Sequence, residues 1–228
     1  MKQTAFLALC LAAAALFAAL GIWQVERLRW KTALIARVEG RLDAPPQAPP
    51  AWRTWSPDQA YTRVRARGEF LHRHETLVLA VTELGSGYWV MTPLRTANGV
   101  VLVNRGFVPA ERRPLSNRFW SSPEGPVIVT GLLRASEPNG AFLRANAPAD
   151  HRWYSRDVRA IAEAAQLTGP VAPYFVDADA TSSPAEYPVG GLTNVRFRND
   201  HLVYALTWFG LAALSLAAAA FVGFRRAR

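Results

Sequence analysis

Two uncharged apolar runs, one near each end, constrain this chain more than any other feature. No charged residue occurs from Leu202 to Phe224, and none from Thr4 to Trp23. At ~1.5 Å per residue, a helix of either length crosses a hydrocarbon core of ~30 Å. A single segment in lipid satisfies its own backbone only as a helix. The sequence therefore predicts two spanning helices, over 4–24 and 202–224. A cleaved leader is the competing reading of the first run. That run is longer than a usual leader core, and it continues into Gly21-Ile22-Trp23-Gln24-Val25-Glu26-Arg27 without a small-residue cleavage signal. We read it as a retained span, anchored at the interface by Trp23 and Trp30. Nothing amphipathic and rich in Arg and Ser precedes it, which makes a bacterial inner membrane the simplest address.

The residues between the spans suffice for one domain with its own core. Gln24 to Asp43 reads as a helix leaving the membrane. Ala44-Pro45-Pro46-Gln47-Ala48-Pro49-Pro50, with four prolines in seven positions, ends it as an extended linker. The exit helix and linker thus occupy 25–50, the domain 51–198, and a basic tail 225–228. Within the domain, strands are expected at Thr62–Phe70, Thr76–Val81, Tyr88–Leu94, Val100–Asn104, Val127–Arg134 and Pro173–Asp177, with turns at Gly85-Ser86-Gly87 and Ala97-Asn98-Gly99. One helix is expected at Arg156–Leu167, capped by Ser155. The predicted class is a membrane protein of α+β type. Two transmembrane helices form a hairpin flanking a β-rich, mainly antiparallel domain curled into a sandwich or barrel, with few helices.

The net charge of +9 is carried almost entirely by arginine. No basic block with interleaved aromatics is present, which argues against a nucleic-acid partner; charge beside the spans suits lipid headgroups instead. Basic residues lie at both ends of each span, and long loops translocate largely regardless of charge, so the orientation stays open on charge alone. Cys10 is the one cysteine, excluding a disulfide within the chain and any cysteine-based metal site. It reads as a small apolar residue in lipid.

Enzymatic signatures are absent from the sequence: no nucleophile elbow, phosphate loop or dinucleotide fingerprint. His72 and His74 would share a strand face, as two metal ligands can, but no third ligand is evident and a solvated turn is the favoured reading. His151 reads as part of a solvated loop. In Asn104-Arg105-Gly106-Phe107-Val108-Pro109, Gly106 allows a bend or bulge, and Arg105 can then meet a carboxylate. That partner is a haem propionate or, the favoured alternative, a structural Asp or Glu. At the start of the second span Asp200 is positioned to cap the helix. His201, Tyr204, Ala205, Trp208, Ala212 and Ser215 share one face at helical spacing. This stripe is either interfacial anchoring, as Tyr and Trp commonly provide, or a ligand site in which a neutral imidazole binds haem iron beside aromatic rings.

Five stretches, taken in order, resemble the surfeit locus protein 1 family, whose members assist assembly of haem–copper cytochrome c oxidase. They are Leu20-Gly21-Ile22-Trp23-Gln24-Val25-Glu26-Arg27 with Trp30-Lys31, Arg67-Gly68-Glu69-Phe70, Gly87-Tyr88-Trp89-Val90-Met91-Thr92-Pro93-Leu94, Val103 to Pro109, and Asn199 to Phe209. The resemblance implies a non-enzymatic assembly factor in a bacterial inner membrane, with a periplasmic domain and both termini cytoplasmic. It implies transient binding of haem a and its transfer to oxidase subunit I, with haem A synthase as a second partner. The family's proposed haem ligand matches His201. Tyr204 and Trp208 join it through helical spacing, and Arg105 as a propionate partner. Asp200 stands where the family often has a second asparagine, and it reads as a cap turned away from haem. A membrane scaffold that stabilises oxidase intermediates without an obligatory haem role is the alternative.

Overall fold

The computed structural model describes residues 2–112, 122–140, 144–180, 187–193 and 199–227. Three helices, α1 (Lys2–Leu42), α2 (Val158–Ala164) and α3 (His201–Ala227), accompany six strands. The strands are β1 (Arg63–Phe70), β2 (Thr76–Thr82), β3 (Gly85–Thr96), β4 (Gly99–Pro109), β5 (Pro126–Ala135) and β6 (Val171–Ala178). The chain divides into two compact units, one holding Met1–Glu39 with Val195–Arg228 and the other Gly40–Asn194.

The first unit is a helix pair. Both helices are long and apolar enough to cross a membrane. Each presents large apolar side chains outward, among them Leu9, Leu16 and Ile22 on α1 and Val203, Leu206 and Leu214 on α3. In water such a surface would aggregate; against lipid tails it is the required exterior. The helix expected from Gln24 to Asp43 is present and continuous with the first apolar run. α1 runs unbroken for 41 residues, about 60 Å at the helical rise, or roughly twice the hydrocarbon thickness. Its sequence has no proline or capping signal near Gln24 to stop it.

The second unit is the expected barrel. The sheet order is β1-β5-β6-β4-β3-β2, and β1 also pairs with β3 at Glu69↔Arg95 and Phe70↔Leu94. Five strands thereby close on themselves, while β2 extends the sheet from β3. All pairings are antiparallel except β4 with β6. Val64, Ala66, Leu94, Val101, Val103, Leu133 and Val176 fill one core. A second forms where α2 lays Val158 and Ile161 against Val78, Met91, Leu102 and Phe175. Strands β4 and β6 contribute to both cores through alternate residues, which explains the unbroken apolar run Val100-Val101-Leu102-Val103.

Several local expectations are corrected. Gly85-Ser86-Gly87 is not a turn: these residues open β3, and the turn is Glu83-Leu84. α2 starts at Val158, and its cap is Asp157, whose Oδ1 accepts from the N–H of Ala160 at 3.2 Å. The hydroxyl of Ser155 instead accepts from the N–H of Gly140 at 3.1 Å. The proline-rich segment does not hang free. Gln47 exchanges backbone hydrogen bonds with Arg63 and Arg65 at 3.1 and 2.8 Å. The Tyr174 hydroxyl, its ionisation pushed up by burial, donates to the Pro50 carbonyl at 2.6 Å.

The bend anticipated at Gly106 is a β-bulge. Trp89 pairs with Phe107 and Met91 with Asn104, so Arg105 and Gly106 together oppose Val90. Gly106 has φ of +132°, and a Cβ there would lie 2.3 Å from the Val189 carbonyl oxygen. Only glycine fits this corner.

Candidate functional site

In the helix pair, side chains that repeat every three to four residues line a common seam. On α1 the seam includes Cys10, Ala14, Phe17, Gly21 and Gln24; on α3 it includes His201, Ala205, Trp208 and Ala212. Cys10, Ala14, Gly21, Gln24, Ala205 and Ala212 are buried. Small residues bring the backbones close, as helices in lipid require in the absence of a hydrophobic drive between them. Phe17 stacks on Trp208 with ring centroids 5.7 Å apart and an interplanar angle of 23°. Gly21 faces the ring of Phe209, and a Cβ there would lie 2.6 Å from it. Gly21→Leu is therefore expected to wedge the helices apart. A lengthened spin-label distance between α1 and α3, with barrel stability unchanged, would register this.

At the end of the seam the small residues give way to polar ones. Gln24, Lys31, Asp200, His201, Tyr204 and Trp208 line a cavity of about 420 Å³. α3 begins at His201, and the Asp200 carbonyl accepts from the N–H of Tyr204 at 3.3 Å, as the residue before a first turn should. Nδ1 of His201 lies 2.7 Å from Oε1 of Gln24. An amide oxygen can only accept, so in this contact Nδ1 is the donor, which in the neutral ring leaves the lone pair on Nε2. No other hydrogen bond or ion pair engages the His201 imidazole among the described residues. The residues lining the cavity carry an imidazole, a phenol, an indole, an amide, an ammonium and a carboxylate.

Of the residues singled out in the sequence, His201, Tyr204 and Trp208 are brought together. Arg105 belongs to the barrel unit. Its guanidinium, 5% exposed, donates to Oε1 of Glu75 at 2.9 Å and lies 5.1 Å from the ring centroid of Phe70. The structure thus supplies the structural carboxylate that was the favoured partner. His72 and His74 lie in a short 3-10 turn, not on a strand. Nδ1 of His72 faces Glu75 at 3.2 Å, and Nε2 faces the Pro123 carbonyl at 2.9 Å. No cluster that could hold a metal ion occurs among the described residues. His151 is exposed at the end of a short turn.

Gln24 and Lys31 were not singled out as site residues. Their signal was spacing: Phe17, Gln24 and Lys31 recur at intervals of seven, which places them on one helix face.

Fold and site together define a class: a chain that joins a small β-barrel to a pair of membrane-type helices, with an imidazole-centred cavity at one end of the helix pair. The SURF1 family profile matches residues 11–213, and this chain belongs to that family. It is 38% identical over 212 residues to human Surfeit locus protein 1, covering 85% of this chain and 69% of the relative. The mouse protein of that name is 37% identical over 211 residues, covering 85% and 68%. A SURF1-like protein of Monosiga brevicollis is 37% identical over 212 residues, covering 87% and 80%.

Proposed function

We propose that this chain is an assembly factor for haem–copper cytochrome c oxidase that takes haem a as cargo at the end of its helix pair and passes it to oxidase subunit I. The observation that carries this reading is His201. It is a half-buried imidazole held by Gln24 through one nitrogen, with the other unpartnered, in a cavity walled by Tyr204 and Trp208. A neutral imidazole nitrogen is a haem-iron ligand, and flat aromatic rings pack on a macrocycle. Lys31 also lines the cavity, and its ammonium suits a propionate. Arg105 already faces Glu75 and is given a structural role. Asp200 shares the cavity and would repel a propionate, which favours Lys31 as the propionate end. In this reading the domain lies in the periplasm of a bacterial inner membrane, both termini are cytoplasmic, and the chain performs no turnover of its own. Haem A synthase is a fitting donor.

The test is complementation in a bacterium deleted for its own family member. The wild-type chain is expected to restore both the haem a content and the activity of the oxidase. His201→Ala, at equal membrane level, is expected to leave subunit I present but poor in haem a. Full restoration of haem a by the variant would instead favour a scaffold that holds oxidase intermediates together.

A further inference from the structure

We infer that Gln24 is the positioning residue of this site: its side-chain amide selects the tautomer of His201 and points the remaining ring nitrogen at the incoming iron. The inference rests on the reading of the cavity as a haem site, but the first half of its test does not need haem.

Gln24 is 8% exposed, on the seam of α1 among Gly21, Phe17 and Ala14. Gln24 stands where the apolar seam gives way to polar side chains, and a buried amide there needs a partner. The described partner of Oε1 is Nδ1 of His201, 177 residues away in sequence and 2.7 Å away in space. In water a neutral histidine side chain prefers its proton on Nε2, which would leave the wrong nitrogen for a ligand approaching the outer edge of the ring. An acceptor fixed at Nδ1 reverses that preference, stops ring rotation and raises the basicity of Nε2.

The acceptor is an amide and not a carboxylate, and this matters for a carrier. A carboxylate at Nδ1 would draw the imidazole toward imidazolate, strengthen its bond to ferric iron and slow release. An amide orients the ring while leaving the ligand neutral and exchangeable. Lys31 and Asp200, the charged residues lining the cavity, do not supply the described Nδ1 contact. Gln24 therefore tunes the site for handing over as well as for holding.

The experiment uses the full chain in nanodiscs with ¹⁵N-labelled histidine. The other histidines are His72, His74 and His151, so His201→Ala assigns the His201 resonances. In haem-free wild type, above the imidazole titration, His201 is expected to be the Nδ1–H tautomer, and Gln24→Leu is expected to shift it to Nε2–H. An Nε2–H tautomer in the wild type, or no change in Gln24→Leu, overturns the inference whatever haem does. Ferric haem a is then titrated. Gln24→Leu should weaken binding by roughly 10–100-fold, the range for losing an outer-shell partner of a ligating histidine, and should raise the midpoint potential. Gln24→Glu should retain the tautomer, lower the potential and slow haem release to an acceptor apoprotein. Unchanged affinity and potential in both variants overturn the tuning role. Tryptophan fluorescence reports whether the Phe17–Trp208 contact survives. Haem retained by His201→Ala would refute the site reading itself, a failure distinct from a tautomer that ignores Gln24.

Discussion

Asp177→Ala is expected to destabilise the barrel by about 3–5 kcal/mol, the scale for breaking a buried ion pair from one side. Asp177 is 3% exposed on β6. Its Oδ1 accepts from Asn104 at 2.8 Å and from Arg156 at 3.1 Å. Its Oδ2 accepts from Arg134 at 2.7 Å and from Thr193 at 3.0 Å. One carboxylate thus joins β4, β5 and β6 to the segment before α2. Burial alone would lower the Arg156 pKa, yet the carboxylates of Asp177 and Glu137 hold it above its ordinary value. Removing Asp177 leaves Arg156 with Glu137, which is partly solvated at 37% side-chain exposure. It leaves Arg134 with only a longer contact to that same carboxylate, at 3.5 Å. Two largely buried guanidiniums, 17% and 13% exposed, then share one partly solvated partner. Since a domain's whole stability is about 5–15 kcal/mol, the barrel should unfold at markedly lower denaturant concentration. Near-UV circular dichroism of the full chain in detergent would follow it, and a loss below ~1 kcal/mol would contradict the geometry.

His201→Ala is expected to have the largest effect on ligand affinity. It deletes the proposed iron ligand and also leaves Oε1 of Gln24 without its described partner. Changes to outer-shell partners alone cost roughly 10–100-fold in metal affinity, so loss of the ligand itself should exceed about 100-fold. The barrel core contains no part of this site, and its unfolding midpoint should not move. Tyr204→Phe keeps the ring and removes only the hydroxyl, so it should change affinity far less than His201→Ala.

Much of the architecture was legible because its signals are local. The apolar lengths of Thr4–Trp23 and Leu202–Phe224 announce two spanning helices without reference to anything else in the chain. The alternation from Arg63 to Phe70 and the Asn98-Gly99 pair likewise depend on near neighbours. What the sequence hid is set by partners far along the chain. Barrel closure depends on Glu69 meeting Arg95, and the pairing of Arg105 depends on Glu75, 30 residues earlier. Gly85-Ser86-Gly87 has turn composition, but pairing with β2 draws it into a strand. Ser155 and Asp157 are both good caps; α2 uses the aspartate because the serine hydroxyl is taken by Gly140 and Asn146. The stripe of His201, Tyr204 and Trp208 was visible on one helix face. Gln24, which fixes the ring of His201, was not singled out, because a lone glutamine at the end of a span does not reveal what it faces.

The central claim is that His201 holds haem a on the helix pair. The most direct measurement is the visible spectrum of the chain purified after co-production with haem A synthesis enzymes, wild type beside His201→Ala, at matched folding and membrane yield. A haem a spectrum in the wild type that is lost in the variant is the expected result. The same spectrum at the same occupancy in His201→Ala, or no haem in a correctly folded wild type, would contradict it.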